Sequence, residues 1–148
     1  MDVRFVAPDW DNLDALRSEA ILTPFFSDER PLAGVLGLID WRMCGFVSRM
    51  VVRGHVRGVR GEQVLVPLKP RFTVDKLFLF GLGPESDFDD AVMRDTTERM
   101  FDVLAQAQVR ATAIVLPGRN TQRVPAADAM ETFVRAVATR SSQDEVVL

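Results

Sequence analysis

The run Asp75-Lys76-Leu77-Phe78-Leu79-Phe80-Gly81-Leu82-Gly83-Pro84 constrains this chain more than any other segment. Four consecutive large apolar residues, Leu77 to Phe80, leave no polar side for water, so Val74 to Gly81 reads as a strand covered on both faces. The glycines end it in a turn. From Asp87 to about Gln108, Met93, Thr97, Met100 and Leu104 then recur at helical spacing, opposite Asp95, Glu98, Asp102 and Gln106. The acidic first turn, Asp87, Asp89 and Asp90, suits the positive end of the helix dipole.

The other elements are read around this strand-turn-helix unit. Val3 to Ala7 and Ala20 to Phe26 are apolar runs of strand length, with a polar turn or helix start at Asp9-Trp10-Asp11-Asn12 between them. Capping side chains in Ser27-Asp28-Glu29-Arg30 and Pro31 at a first-turn position predict a helix over 31–40. Met43, Phe46, Val47 and Met50 predict a second over 42–52, its outer face basic through Arg42, Arg49 and Arg53. The glycine- and arginine-rich stretch 53–62 reads as a mobile connection. Gln63 to Leu68 follows as a strand, placed near a sheet edge by Pro67, which lacks a ladder donor. Ala111 to Leu116 is another buried strand, and Ala126 to Arg140 a last helix with Met130, Phe133, Val134 and Val137 inward. Alternation of strands and helices implies βαβ units, hence a three-layer α/β/α sandwich on a mixed, mostly parallel sheet. One domain over 1–140 and a flexible tail over 141–148 complete the reading.

Composition narrows the function classes. No apolar run approaches the ~20 residues of a membrane span, and Met1-Asp2-Val3-Arg4 is not the start of a secretion signal, so a cytoplasmic protein without membrane contact is expected. The single cysteine, Cys44, excludes an intramolecular disulfide and reads as a buried small apolar residue. The net charge is −3, yet Trp41 to Lys76 holds eight Lys or Arg against two acids, leaving −9 for the rest. Such a basic segment on an acidic body meets nucleic acid, an acidic partner or, most commonly, the chain's own acidic helices.

Two kinds of candidate site emerge. Arg49, Arg53, His55, Arg57 and Arg60 form a candidate partner- or anion-binding set, with Arg119 a further cation after a strand. Few aromatics for base stacking and a pI near 5.2 make nucleic acid the less favoured partner of this set. The loops at Gly81, Leu82, Gly83 and at Gly118, Asn120 are the candidate ligand loops, since amides at strand ends can bind anions. The four acids from Glu85 to Asp90 weigh against an anion at the first loop. No catalytic residue, metal ligand or cofactor is assigned. His55, the single histidine, has no serine, cysteine or carboxylate immediately beside it, and one imidazole does not make a zinc site.

Pro31-Leu32-Ala33-Gly34, Gly58-Val59-Arg60-Gly61-Glu62 and the strand ending Gly81-Leu82-Gly83, in this order and spacing, resemble the amino-terminal domain of leucyl aminopeptidases, the two-metal cytosol aminopeptidases. The likeness extends from about Val3 to Ala138. It implies a macro-domain-like fold. In that family the metal-binding lysine, aspartates and glutamate lie in the other, catalytic domain; Asn120-Thr121-Gln122-Arg123 does not reproduce the family's Asn-Thr-Asp-Ala-Glu-Gly-Arg run. The resemblance therefore implies a free-standing, non-catalytic binding, scaffolding or regulatory module acting through a protein partner, or through a second copy as a homodimer or larger homo-oligomer. Alternatives implied by the same kinship are a macro-like nucleotide or ADP-ribose binder, a DNA-binding accessory and one subunit of a split aminopeptidase.

Overall fold

The computed structural model describes residues 2–119, 121, 123–140 and 143–147, without the side chain of Arg140. Six strands, β1 (Asp2–Arg4), β2 (Ala20–Phe25), β3 (Gln63–Pro67), β4 (Lys76–Gly81), β5 (Ala111–Ile114) and β6 (Glu145–Val147), form one sheet in the order β1-β6-β5-β2-β4-β3. All neighbours are parallel except β3, which runs antiparallel to β4 at the edge. This matches the position expected for a strand that ends in Pro67.

Alternation along the strands separates two cores. Leu77 and Leu79 of β4, with Ile21 and Phe25 of β2, pack against α1 (Trp10–Ala15), α2 (Gly34–Arg42) and α3 (Phe46–Val52) through Leu13, Leu36, Ile39, Val47 and Val51. Phe78 and Phe80, with Ala20 and Leu22, face α4 (Asp90–Gln106) and α5 (Ala126–Arg140) through Met100, Phe101, Leu104, Phe133 and Val137. The continuous apolar run of β4 is thus explained by helices on both sides. Each large side chain buried there stabilises the fold by about 1.5–3 kcal/mol. The α/β/α sandwich inferred from the alternation of elements is the architecture observed.

Caps set the helix limits. Asp9 accepts from Asn12 N at 2.9 Å ahead of α1, and Asp89 accepts from Val92 N at 2.9 Å ahead of α4. The long helix therefore begins at Asp90, and a single 3-10 turn, Glu85–Asp87, precedes it. The helix expected over 31–40 begins at Gly34, with Ala33 as an N-cap that has no side-chain hydrogen bond. The second helix expected over 42–52 is shorter. The chain breaks at Cys44 and Gly45, whose φ angles are +55° and +74°, and α3 starts at Phe46. Asp40, 8% exposed, secures this break: its carboxylate accepts from Ser48 N at 3.1 Å and from the Ser48 hydroxyl. An apolar stripe that continues across a left-handed corner hides the corner from periodicity.

Four further expectations are corrected. Residues 145–147 are not a flexible tail: Val146 and Val147 are buried in β6, between β1 and β5, and the Arg110 guanidinium holds Asp144 through two hydrogen bonds of 2.7 Å. Two apolar residues are too few for periodicity to mark a strand. Cys44 is exposed, because the left-handed turn carries it out of the core. Val134 is 55% exposed, leaving Phe133, Ala136 and Val137 to fill the interior of α5.

The fourth correction is the loop over 53–62, which is tied down throughout. Val56 is fully buried, and the Arg57 N–H donates to both Glu62 carboxylate oxygens at 2.9 and 3.1 Å. Gly81 N donates to Glu62 O and Gly83 N to Gly58 O, each at 2.9 Å, so the loop folds over the end of β4. That approach requires Gly81, where a Cβ would lie 2.0 Å from Val59 O and 2.7 Å from Gly58 C. Among the described residues, no helix is long and apolar enough to cross a membrane.

Candidate functional site

Strand order reverses between β2 and β5, since the chain proceeds from β2 toward β4 on one side and from β5 toward β6 on the other. Parallel strands leave a crevice outside their carboxyl ends at such a point. Here a cleft of about 350 Å³ opens beside Phe5, Val6, Leu116, Arg119, Val124 and Met130. Two smaller recesses of about 40 Å³ adjoin it. Arg119 lines all three, and Glu29 lines the one formed with Phe26 and Leu82. Burial raises the Glu29 carboxyl above its ordinary value, although the Ala33 N–H it accepts at the entrance to α2 pulls the other way.

The walls of this crevice use most of their own backbone donors. Gly81 N, Leu82 N and Gly83 N donate to Glu62 O, Phe25 O and Gly58 O. In the loop after β5, Arg119 N donates to Leu116 O and Thr121 N to Gly118 O. The candidate loop at Gly81, Leu82 and Gly83 is therefore a packing joint whose amides are engaged. Gly118 serves packing as well: its φ is +73°, and a Cβ there would lie 2.2 Å from the Phe88 ring, which itself meets Phe26 edge-on at 5.4 Å. Asn120, named with it, lies outside the described residues. Arg119 remains as the charged side chain turned to the cleft.

The arginine set divides. Arg60 reaches Asp95 of α4 at 3.5 Å, and Arg99 bridges the same carboxylate at 3.5 Å while donating to Gly61 O at 3.2 Å. Part of the basic segment thus meets the chain's own acidic helix. Arg49 donates to Cys44 O. Arg53, His55 and Arg57 are exposed, and Arg53 and Arg57 make no ion pair among the described residues. The four arginines and His55 do not share one ligand point: Arg60 meets α4, and Arg53, His55 and Arg57 are exposed on the segment after α3.

Sequence reasoning missed two features. Glu29 entered only as a capping residue, with nothing to show that it lines a recess that Arg119 also lines. The pair Trp10 and Trp41 was not singled out, although Trp41 falls outside the apolar stripe of α2, which was the available signal. Among the described residues, no three His, Cys, Asp or Glu side chains gather as metal ligands.

Residues 24–147 match the N-terminal domain of the cytosol aminopeptidase family. The chain belongs to that family. A probable cytosol aminopeptidase of Thermosynechococcus vestitus is 25% identical over 83% of this chain and 24% of its own length. The chain spans about a quarter of the length of the curated relatives it matches. Its fold is that of the macrodomain of Mycobacterium tuberculosis DarG, with a TM-score of 0.73, 15% identity and coverage of 98% and 95% of the two chains. A tomato leucine aminopeptidase shares it, with a TM-score of 0.67, 12% identity and coverage of all of this chain and 32% of the other. The amino-terminal, macro-like resemblance drawn from the order of motifs is the relationship found.

Proposed function

We propose that this cytosol aminopeptidase N-terminal domain is a non-catalytic binding module that works through protein contacts. The observation that carries the reading is the excess of arginine from Trp41 to Gly61, of which only Arg42 and Arg60 are paired, with Asp14 and Asp95, among the described residues. Five arginines and no carboxylate lie there, and Arg53 and Arg57 project from a loop fixed by Val56 and Glu62 without an ion pair among the described residues. Charge fixed on a rigid surface steers and orients an acidic partner at small ordering cost. The test compares partner capture by the intact chain and by the Arg53→Glu, Arg57→Glu variant. A partner held by the first and lost by the second, at equal melting temperature, supports the reading. Identical capture by both, or hydrolysis of leucine amide by the monodisperse protein supplied with manganese or zinc, overturns it.

A second reading, a macro-like nucleotide or ADP-ribose binder, is favoured by the cleft at the strand-order reversal with Arg119 at its wall. ADP-ribose at a hundred times its dissociation constant would stabilise the fold by about 2.7 kcal/mol. A thermal shift of that size, lost in Arg119→Glu, would establish it; no shift at millimolar ADP-ribose would remove it.

A further inference from the structure

We propose that the tryptophan pair at the end of α2 anchors a docking surface for an acidic protein segment that carries an apolar side chain. The proposal rests on the binding-module reading and names its surface. Trp41 is 76% exposed and stands in an aromatic cluster rather than singly, which is what marks an interaction site. Its ring meets that of Trp10 at 5.6 Å with a 57° tilt. The Arg42 guanidinium lies 4.4 Å from the Trp10 ring centre and 5.0 Å from that of Phe72, and pairs through both nitrogens with Asp14. Trp10 is thereby clamped, and Trp41 stands on a fixed base.

Two further cations are held around it. Arg71 donates to Arg42 O at 3.2 Å and lies 3.4 Å from Cys44 Sγ, while Arg49 donates to Cys44 O. Neither pairs with a carboxylate among the described residues. An exposed indole with pre-positioned guanidinium groups is the residue chemistry that dominates binding energy in protein contacts. Its complement is an apolar side chain flanked by carboxylates. A nucleic acid also stacks on tryptophan and contacts arginine, but residues outside 41–61 carry the balance of −8. A long polyanion meets that repulsion, whereas a short acidic segment stays within the ~8 Å over which exposed charges act at physiological salt.

The chain supplies its own reporter, since it has two tryptophans and no tyrosine, and both tryptophans lie in this surface. The probes are an eight-residue peptide with Leu-Phe between three glutamates on each side, the same peptide with Gly-Gly in place of Leu-Phe, and a single-stranded oligothymidine. The Leu-Phe peptide should shift tryptophan emission to the blue and bind at least tenfold more tightly than the Gly-Gly peptide. Trp41→Ala, read through Trp10, and Arg49→Glu with Arg71→Glu should each weaken it at least tenfold without lowering the melting temperature. Equal binding to wild type and Trp41→Ala overturns this surface and leaves the binding-module reading standing. Tighter binding of the oligothymidine than of the peptide, or a wild-type dimer in sedimentation that Trp41→Ala dissociates, overturns the acidic protein segment as occupant. Absence of any emission change with the Leu-Phe peptide does the same, and partner capture by the Arg53 and Arg57 pair then decides the broader reading separately.

Discussion

The crevice at the carboxyl ends of β2, β4 and β5 and the cationic surface of α2, α3 and the loop after them use the same building materials in opposite ways. In the crevice, glycines bring backbones together and the amides of Gly81, Leu82 and Gly83 bond to carbonyls of neighbouring segments. On the cationic surface the backbone is equally fixed, but the side chains of Arg53 and Arg57 make no ion pair among the described residues. A glycine-rich loop and an arginine-rich loop look alike as candidate sites in sequence. What separates them is whether the polar groups are engaged after folding, and that depends on which segment packs over which.

The largest expected effect tests the tightness of the crevice side. Gly81→Ala places a Cβ 2.0 Å from Val59 O and should cost about 3 kcal/mol, read as a lowered urea midpoint. Gly54→Ala, at φ +74° with no atom within 4 Å, should cost only about 1 kcal/mol of backbone strain. Equal losses would mean that the loop over β4 yields, and the contrast between the regions would fail.

Next in size is the brace beneath the cationic surface. Asp40→Ala removes the acceptor for Ser48 N and the Ser48 hydroxyl and should cost about 2 kcal/mol by denaturant titration. A wild-type midpoint would show that α3 holds its position without this cap.

Smaller effects separate the arginines. Arg60→Glu sets a carboxylate against Asp95 and should cost about 0.5 kcal/mol. Arg53→Glu with Arg57→Glu should stay within about 0.5 kcal/mol of wild type while changing partner capture. If the double variant melts well below Arg60→Glu, then the outer arginines belong to the fold and not to a partner surface.

The smallest effect is a slope. Glu29 has its proton affinity raised by burial, so the folded state binds that proton more readily than the unfolded chain. Stability from this group therefore falls as pH rises from the ordinary glutamate range through the raised value. Asp14, Asp75 and Asp144 act in the reverse sense: hydrogen bonds from Arg42, Lys69 and Arg110 hold their carboxyls low, and that stability is lost as pH falls through the lowered values. Glu29→Gln should flatten only the first component, measured as urea midpoints from about pH 4 to 7. An unchanged profile would place Glu29 in open solvent.

Legibility in the sequence followed the length of the pattern. β4, α4 and α5 show themselves because an apolar run or a long amphipathic stripe repeats the same information many times. The join of α2 to α3 does not, since Met43, Phe46, Val47 and Met50 keep helical spacing across a corner set by two residues. β6 is marked by two apolar residues alone, Val146 and Val147. The crevice could be placed from the strand ends, but the pairing of Gly81 with the loop at 58–62 is a contact between distant segments, which local spacing cannot carry. The exposure of Trp41 was detectable in principle as a large apolar residue off the buried stripe.

The place of β6 between β1 and β5 has a consequence for how the molecule comes into being. β1 precedes β2 to β5 in the chain, yet its ladder partner among the described residues is β6, which follows them all. At a synthesis rate of about 5–20 residues per second, β1 waits roughly 7 to 28 seconds for that neighbour. Between the making of β5 and that of β6 the nascent sheet ends at β5, whose open side is a template for any extended chain nearby.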